Sequence, residues 1–259
     1  MPVVSCAFRN FFKRYPPNRG ESGPSAKMIF GGIQENSMID FPGKLACVLF
    51  ASGCNFRCPY CHNPSLALNQ VDPENTVTIA EALDFLLARQ GFLDGVVITG
   101  GEPTLQPELL SVCEKIKQLG YPIKLDTNGS HPKVIEALIA AGVVDYIAMD
   151  VKSAPEHYAP LILAKGDPVS IHASIRLILE SGVAHEFRTT CINPLVDLSI
   201  IKTISRLVKG ADLLVLQQFH TRQVLAPDYC RESGRRYDEQ TLEIFRSVAA
   251  PWVKRCIVR

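Results

Sequence analysis

Short apolar runs alternate with amphipathic segments along the chain from Lys44 onward. Each run is nearly continuous in apolar residues, as expected for strands that a parallel sheet buries on both faces. Polar and glycine-rich residues follow nearly every run and mark where the strands end. The predicted strands are Leu45–Ala51, Gly95–Thr99, Pro122–Asp126, Asp145–Asp150, Glu186–Ile192 and Leu213–Gln218, with a final short strand over Lys254–Val258.

The intervening segments predict helices because their apolar residues recur at helical spacing. Thr78 and Glu81 form a capping-box pattern at the start of the first of them. Pro132 stands near the start of another helix, and Gly142 lies just past its end. The predicted helices are Ile79–Leu87, Leu109–Ile116, Pro132–Ala141, Val169–Glu180, Ile200–Val208 and Tyr237–Ala249.

Six strand-then-helix units in series predict an α/β fold with a parallel sheet and helices on its outer side. A closed barrel of this kind has eight units, so six units predict a partial (β/α)6 barrel of parallel strands, open on one side. Residues 28–259 are predicted to form this single domain. Its chemistry is expected where the parallel strands end at their carboxyl termini.

Residues 1–27 differ from the rest of the chain in composition. The turn-rich stretch Pro16–Ser25 contains few apolar residues, which predicts a disordered or loosely docked extension. The first residues also lack the long apolar core and the cleavage site of a signal peptide. A short extension without essential chemistry is the favoured interpretation, and a docking patch around Phe8, Phe11 and Phe12 is the alternative.

Charge and cysteine content limit the possible partners and the compartment. The formal net charge is +1, which gives no electrostatic reason to expect nucleic acid or an anionic membrane as a partner. No apolar run approaches the roughly 18–20 residues that a membrane span needs. Nine cysteines, an odd number, fit reduced thiols better than a disulfide framework. These observations predict a cytoplasmic protein.

Cys54, Cys58 and Cys61 have C-x₃-C-x₂-C spacing and follow the first predicted strand directly. Three thiolates so close in sequence form a tripod for a soft metal centre. A tetrahedral zinc site needs a fourth ligand nearby, and His62 would have to turn back awkwardly to serve. Three ligands on a four-iron cluster leave one iron open to bind a small molecule. A zinc module, an iron–sulfur electron carrier and buried structural cysteines are the alternatives.

The remaining cysteines lack a second group of this spacing, so one cluster is expected. Cys47, Cys191 and Cys256 fall within predicted strands, and Cys113 falls on the apolar face of a helix, as small core residues commonly do. The last two, Cys6 and Cys230, are isolated in the sequence.

The segment Gly53–Pro64, in which Tyr60 directly precedes the last cysteine, resembles the radical S-adenosylmethionine enzymes. More narrowly, it is similar to the activating enzymes of glycyl radical proteins. The preceding segments Gly31–Gln34 and Ile39–Lys44 resemble the activating proteins of anaerobic ribonucleoside-triphosphate reductase. The resemblance extends from about Met28 to His220 and stays recognisable to the end of the chain. Residues 1–27 have no counterpart in it.

This resemblance implies the cofactors and their ligands. Cys54, Cys58 and Cys61 would hold one [4Fe–4S] cluster per chain, and S-adenosylmethionine would bind its open iron. Tyr60 would be a further residue of the cofactor site. The motif of Gly100, Gly101 and Glu102 would receive the methionyl ammonium group of the cofactor. Carbonyl and carboxylate oxygens suit a cation, and glycine permits a close approach of the backbone.

Strand-end residues would complete the cofactor site by the same resemblance. Lys152 would meet the carboxylate of the cofactor. Asp126 would contact the ribose or join Asp150 at a cation site, and His220 would contact the adenosyl part. Arg188 is a weaker candidate of the same kind. The structural alternatives are an Asx turn for Asp126, a solvated charge for Lys152 and a structural histidine at position 220.

The resemblance implies a radical reaction without a side-chain acid or base. A reduced cluster would cleave S-adenosylmethionine, and the 5′-deoxyadenosyl radical would take a hydrogen atom from a backbone glycine of a partner protein. The expected partner is a glycyl radical enzyme, anaerobic ribonucleoside-triphosphate reductase in the first place, and the expected electron donor is a reduced flavodoxin or ferredoxin. An enzyme of the pyruvate formate-lyase type or a small molecule is the alternative target. The basic loop with Arg231, Arg235 and Arg236 is interpreted as solvated, with partner docking as the alternative.

Overall fold

The computed structural model describes residues 28–158, 168–232 and 234–259. The predictions for residues 1–27 and for Cys6 lie outside the described residues. One ten-stranded sheet organises the chain. Its strands are β1 (Ile29–Phe41), β2 (Lys44–Ala51), β3 (Val77–Thr78), β4 (Gly95–Gly100), β5 (Ile123–Thr127), β6 (Tyr146–Asp150), β7 (Ala184–Asn193), β8 (Leu214–Gln218), β9 (Arg235–Arg236) and β10 (Cys256–Val258).

The strands lie in the order β10-β8-β7-β6-β5-β4-β2-β1-β3, and β9 pairs with β7. The pairs from β2 through β4, β5, β6 and β7 to β8 are all parallel, and β10 adds to β8 in parallel. Within the described residues, the two ends of this order do not pair with each other. The predicted partial barrel of parallel strands, open on one side, is therefore confirmed.

Helices connect the parallel strands, as the alternating pattern predicts. The α-helices of the described residues are α1 (Pro64–Ala67), α2 (Ile79–Ala88), α3 (Leu109–Gln118), α4 (Pro132–Ala140), α5 (Pro168–Glu180), α6 (Leu198–Leu207), α7 (Pro227–Glu232) and α8 (Glu239–Ala249). The capping box at Thr78 is present, because its hydroxyl accepts from Glu81 N at 3.2 Å and Glu81 Oε2 accepts from Thr78 N at 2.8 Å. No helix of the described residues is long and apolar enough to span a membrane.

Among the elements of the described residues, β1 is the one long element that the sequence pattern did not predict. It forms an antiparallel hairpin with β2 through a turn in which Gly43 has a φ of 72°. The pairing of β1 with β2 shifts register three times, and many side chains of β1 are exposed. Such irregularities break the two-residue alternation that identifies a strand in a sequence.

The two faces of the sheet differ in chemistry. Leu49, Ile98 and Leu125 face the helices and belong to one large apolar core. The inner face carries only a small apolar cluster of Phe41, Ala46, Val48 and Val97, with Phe50 and Tyr146 packed against it. Charged side chains fill the remainder of the inner face on β5 to β7. The polar inner face leads to a cavity at the carboxyl ends of the parallel strands.

Candidate cofactor site

Every predicted site residue except His220 lines one cavity at the carboxyl ends of the strands. The cavity has a volume of about 270 Å³. The predicted residues that line it are Cys54, Cys58, Tyr60, Cys61, Gly100, Gly101, Glu102, Asp126, Asp150 and Lys152. The barrel topology thus brings these predicted residues together, although Cys54 and Lys152 lie 98 positions apart in the chain.

The cysteine loop is held from two sides by backbone hydrogen bonds. On one side, Gly101 N donates to Ala51 O and Glu102 N donates to Gly53 O, both at 2.8 Å. On the other side, the loop after β8 donates from Leu225 N to the carbonyl oxygen of Cys61 at 3.0 Å. These bonds fix the loop that carries the thiols relative to the ends of β4 and β8.

The three thiols are free, and those of Cys54 and Cys58 are buried. Burial raises the pKa of Cys58 to about 12 and also raises the pKa values of Cys54 and Cys61. Buried thiolates need a compensating cation, and a coordinated metal deprotonates its thiol ligands. The buried side chain of Arg57 supports the loop, since its Nη1 donates to Cys54 O at 2.6 Å. The thiol tripod therefore fits a metal centre.

The kind of metal centre that the thiols hold is not fixed by their burial. Among the described residues, no three His, Cys, Asp or Glu side chains are grouped so that they could hold a metal ion. The ligands of a single zinc ion must converge on one point, whereas each thiolate of a cluster binds an iron of its own. A four-iron cluster on the three thiols and the zinc alternative both stay predictions.

The two glycines of the Gly-Gly-Glu-Pro motif are required by the cysteine loop. Gly100 has a φ of 114°, a region that residues with a side chain rarely adopt. A Cβ atom at Gly100 would overlap the backbone of Ala51, and one at Gly101 would overlap the carbonyl oxygen of Gly53. The close backbone approach that the motif predicted is therefore made to the protein's own cysteine loop. A contact of these glycines with a cofactor remains a prediction.

We expect Gly101→Ala to lower the iron content several-fold although it removes no ligand. The added methyl group must push Gly53 away and so displace the loop that carries Cys54. Iron and sulfide analysis after anaerobic reconstitution measures the effect. Gly32→Ala is the matched control because a Cβ atom there meets nothing within 4 Å. Equal iron content in the two variants would contradict the role given to this contact.

Glu102 joins the end of β4 to the end of β5. Its side chain is fully buried, and Oε1 accepts from Thr104 N at 3.1 Å and from the hydroxyl of Thr127 at 2.8 Å. Oε2 accepts from Asn128 N at 2.7 Å, and the Thr104 hydroxyl also donates to this carboxylate. Burial raises the pKa of Glu102, and these four donors oppose the rise. The carboxylate thus fixes two loops of the site, and its predicted contact with an ammonium group stays a prediction.

Arg188 lies at the centre of a charge network on the inner face. Its Nε donates to Asp150 Oδ1 at 2.8 Å, and its Nη1 donates to Asp126 Oδ2 at 3.2 Å. Lys152 Nζ donates to the other oxygen of Asp150 at 3.0 Å, and Lys124 pairs with Asp126. Arg188 therefore occupies the position between the two aspartates where the sequence led us to consider a bound cation.

The network keeps both aspartates ionised. Burial opposes their ionisation, but Arg188 and the adjacent lysines hold the pKa values of Asp126 and Asp150 below their usual range. Burial likewise opposes the charge of Lys152, but Asp150 and the nearby Cys58 raise the pKa of Lys152 well above its usual value. Lys152 is thus a permanent cation on the wall of the cavity that the three cysteines line.

Two side chains at the cavity have roles that the sequence pattern does not predict. They are Asn128 and Arg188. Asn128 Nδ2 lies 3.9 Å from the Cys54 sulfur and 2.9 Å from Asn55 Oδ1, so it supports the cysteine loop from β5. Arg188 is only a weaker candidate for the cofactor site in the sequence. It lies opposite Asp150 in the pairing of β6 with β7, and this register, which a single strand does not contain, brings the two side chains into contact.

Tyr60 lines the cofactor cavity, whereas His220 does not. The ring of Tyr60 is buried against the cavity, and its hydroxyl has no hydrogen-bond partner within the described residues. A buried hydroxyl without a partner favours a polar ligand group beside it. His220 is exposed and lines a neighbouring cavity with His62, so its predicted contact with an adenosyl group stays a prediction.

Comparison with known proteins agrees with this site. The family model of the Radical SAM superfamily matches residues 48–207, which include the cysteine loop and the ends of β4 to β7 at the cavity. A protein of Methanocaldococcus jannaschii, provisionally named a glycyl-radical enzyme activating enzyme, is 34% identical over 238 residues, which cover 90% of this chain and 96% of that protein. The pyruvate formate-lyase-activating enzyme of Clostridium pasteurianum is 31% identical over 147 residues, or 54% of this chain and 60% of that enzyme.

Solved structures show the same fold at lower identity. A domain of the pyruvate-formate lyase-activating enzyme from Bacteroides vulgatus superimposes with a TM-score of 0.52 at 17% identity, covering 64% of this chain and 98% of that domain. SuiB of Streptococcus suis, solved with S-adenosylmethionine bound, superimposes with a TM-score of 0.61 at 13% identity, covering 80% of this chain and 48% of SuiB. The chain belongs to the radical S-adenosylmethionine superfamily and, within it, to the enzymes that activate glycyl radical proteins. Membership implies an iron–sulfur cluster and S-adenosylmethionine as cofactors.

Proposed function

We propose that this enzyme places a glycyl radical on a partner enzyme, and that the partner is anaerobic ribonucleoside-triphosphate reductase. Cys54, Cys58 and Cys61 would hold one [4Fe–4S] cluster per chain. When bound, the cluster and S-adenosylmethionine supply reductive carbon–sulfur bond cleavage and hydrogen-atom abstraction. The observation that carries the proposal is the convergence of three groups on one cavity: the cysteine tripod, the Lys152 ammonium group and the Tyr60 hydroxyl, which has no partner among the described residues.

The side chains of the cavity have binding and positioning roles in this proposal. Lys152 is positioned to pair with the carboxylate of a bound amino acid moiety, because its ammonium group faces the cavity and stays charged. Tyr60 offers a hydroxyl group that lacks a partner in the described residues. Asp126 and Asp150 remain acceptors for a ribose hydroxyl or an ammonium group, although Arg188 already binds both of them. No side chain is required as a general acid or base.

The open side of the barrel supports a polypeptide as the substrate. A second cavity of about 600 Å³ lies between the β1–β2 turn region and the inner face of the sheet, and it shares Arg188 and Gln217 with the cofactor cavity. Its rim includes Met38 and Ile39 of β1, whose side chains are 82% and 84% exposed. Exposed apolar residues beside a polar opening are typical of interaction sites. This second cavity gives a glycine-containing loop a proposed route to the cofactor cavity.

The proposed partner is supported by the sequence resemblance in the segments Gly31–Gln34 and Ile39–Lys44. The second segment is the β1–β2 turn region that borders the open side. A second candidate is a glycyl radical enzyme of the pyruvate formate-lyase type. It is favoured by the similarity to the Clostridium pasteurianum enzyme. A reduced flavodoxin or ferredoxin is the proposed electron donor for either target.

Anaerobic turnover with defined partners tests the proposal. The reconstituted enzyme is reduced with dithionite in the presence of S-adenosylmethionine and either candidate partner. We expect 5′-deoxyadenosine in all samples. We expect a glycyl radical signal in electron paramagnetic resonance only in the sample in which the reductase is the partner. A reductase whose radical glycine is replaced by alanine is the control. Absence of 5′-deoxyadenosine would refute the enzyme chemistry, and a radical only on the pyruvate formate-lyase type partner would establish the second candidate.

A further inference from the structure

The side chain of Asn128 lies against the sulfur atom of Cys54, and the function proposed above gives it no part in the chemistry. Asn128 follows β5, is 5% exposed and lines the cofactor cavity. Its Nδ2 donates to Cys54 Sγ over a distance of 3.9 Å. The same sulfur also accepts from Phe56 N at 3.3 Å. Two N–H groups, one from the cysteine loop and one from a neighbouring strand end, therefore reach this ligand atom.

The orientation of the Asn128 amide group is set by its other hydrogen bonds. Its Oδ1 accepts from Ser130 N at 2.9 Å, which forms a turn of the Asx type. Its Nδ2 also donates to Asn55 Oδ1 at 2.9 Å. An amide nitrogen carries two hydrogen atoms, so Asn55 and Cys54 use both of them. A flipped amide would set its nitrogen against the N–H of Ser130, so the contact with Cys54 is made by a donor.

The surroundings of Cys54 disfavour negative charge on its sulfur atom. Burial and, after it, the carboxylate of Glu102 raise the pKa of Cys54. A thiolate ligand becomes more negative when its cluster takes up an electron, so the same surroundings oppose reduction. Hydrogen bonds to the sulfur atoms are among the factors that set the reduction potential of an iron–sulfur cluster. The N–H of Asn128 therefore acts against the charge of Glu102 at this atom.

We propose that Asn128 is a positioning residue that raises the reduction potential of the cluster through the sulfur atom of Cys54. This inference rests on the proposed function, because it assumes a [4Fe–4S] cluster on the three cysteines. In the step that Asn128 favours, an external one-electron reductant is oxidised, the cluster is reduced by one electron, and no covalent bond forms or breaks. A hydrogen bond strengthens as its acceptor becomes more negative, so this N–H stabilises the reduced state more than the oxidised state.

Two other roles for Asn128 compete with this proposal. The first is purely structural, because the same amide group joins the loop after β5 to Asn55 of the cysteine loop. A structural role predicts altered iron content or stability, but an unchanged potential in the molecules that hold a cluster. The second is a direct contact with S-adenosylmethionine in the cavity. The two amide hydrogens of Asn128 already have acceptors, which argues against a donor contact with the cofactor.

Asn128→Ser tests the proposal, with Ser130→Ala as the matched control. A serine hydroxyl at position 128 can still accept from Ser130 N, as serine does in such turns, but it is too short to reach Cys54. Ser130→Ala keeps the amide group at Cys54 and instead removes the hydroxyl that binds Asn55 and His131. A second variant, Asn128→Asp, keeps the shape of the side chain and replaces the donor by a negative oxygen. Anaerobic redox titration without S-adenosylmethionine gives the midpoint potential of each reconstituted variant, and iron content is measured on the same samples.

We expect a lower midpoint potential in Asn128→Ser, with the equilibrium constant for one-electron reduction falling about tenfold, which corresponds to about 59 mV. Asn128→Asp should lower the potential further, and Ser130→Ala should match the unmodified enzyme. A ¹⁵N label in the asparagine side chains should give a nitrogen coupling in the hyperfine spectrum of the reduced cluster. Asn128→Ser should lose this coupling.

An unchanged potential in Asn128→Ser, or an equal fall in Ser130→Ala, would overturn the proposal. If neither variant of Asn128 holds a cluster, the ¹⁵N coupling of the unmodified enzyme decides, and its absence would overturn the proposal as well. An unmodified enzyme that assembles no cluster would overturn this inference together with the cofactor assignment. The expected shift in an enzyme that forms no glycyl radical on either partner would support the role of Asn128 and refute the proposed function alone.

Discussion

Alanine in place of Cys54, Cys58 or Cys61 is expected to remove iron and S-adenosylmethionine cleavage together. Each thiolate binds an iron of its own in a cluster, so two remaining ligands cannot hold the centre. The loss should exceed 100-fold in 5′-deoxyadenosine formation, because the reaction depends on the cofactor and no side chain substitutes for it. Iron and sulfide content, the visible absorbance of the cluster and product formation are measured on the same anaerobic samples.

Cys113→Ala is the control for these variants. Cys113 is fully buried on α3, within the apolar core and outside the cofactor cavity. Its replacement should lower the free energy of unfolding by about 1 kcal/mol through a small cavity, with iron content unchanged. Normal iron stoichiometry in any of the three ligand variants would show that the cluster has other ligands. Equal iron loss in Cys113→Ala would show that the assay reports general misfolding.

The elements of the parallel barrel could be predicted because each strand is a local apolar run. The observed β6, over Tyr146–Asp150, differs from its predicted range by one residue, and α5 begins one residue before its predicted start. Strand β1 could not be predicted because its register shifts interrupt the alternation of apolar and polar residues. Many of its side chains, Met38 among them, are also exposed, so burial imposes no alternating pattern on them.

The candidate site likewise has one part that could be predicted from the sequence and another part that could not. The cysteine spacing is a local pattern, so the tripod is visible in the sequence alone. The bonds of Arg188 join residues 38 and 62 positions apart, and the bonds of Glu102 to the β5 loop span 25 and 26 positions. These contacts depend on the register between strands, which the pattern of a single strand does not contain. The sequence therefore indicated which residues reach the cavity but not which of them neutralise one another.

Replacing Arg188 by methionine is expected to destabilise the protein by about 3–5 kcal/mol at pH 7. The substitution removes the guanidinium group that binds both Asp126 and Asp150, and two carboxylates then remain in a poorly solvated site. Lys124 and Lys152 each keep one contact with this pair. Denaturant unfolding under anaerobic conditions measures the change. The control is Arg176→Met, because Arg176 is 79% exposed and its pair with Glu180 contributes about 1 kcal/mol or less.

The pH dependence of this loss has a definite sign. In the unmodified protein, the pKa values of Asp126 and Asp150 are depressed, so their stabilisation is present above about pH 4, the value for unfolded Asp, and is lost as the pH falls through the folded-state values. Without Arg188, burial dominates and raises both pKa values, so the folded variant binds protons more tightly than the unfolded chain. The deficit of Arg188→Met should therefore be largest near pH 7 and shrink toward pH 4.5. A deficit that is independent of pH would show that Arg188 stabilises the barrel by packing alone, because neither carboxylate would then depend on its charge.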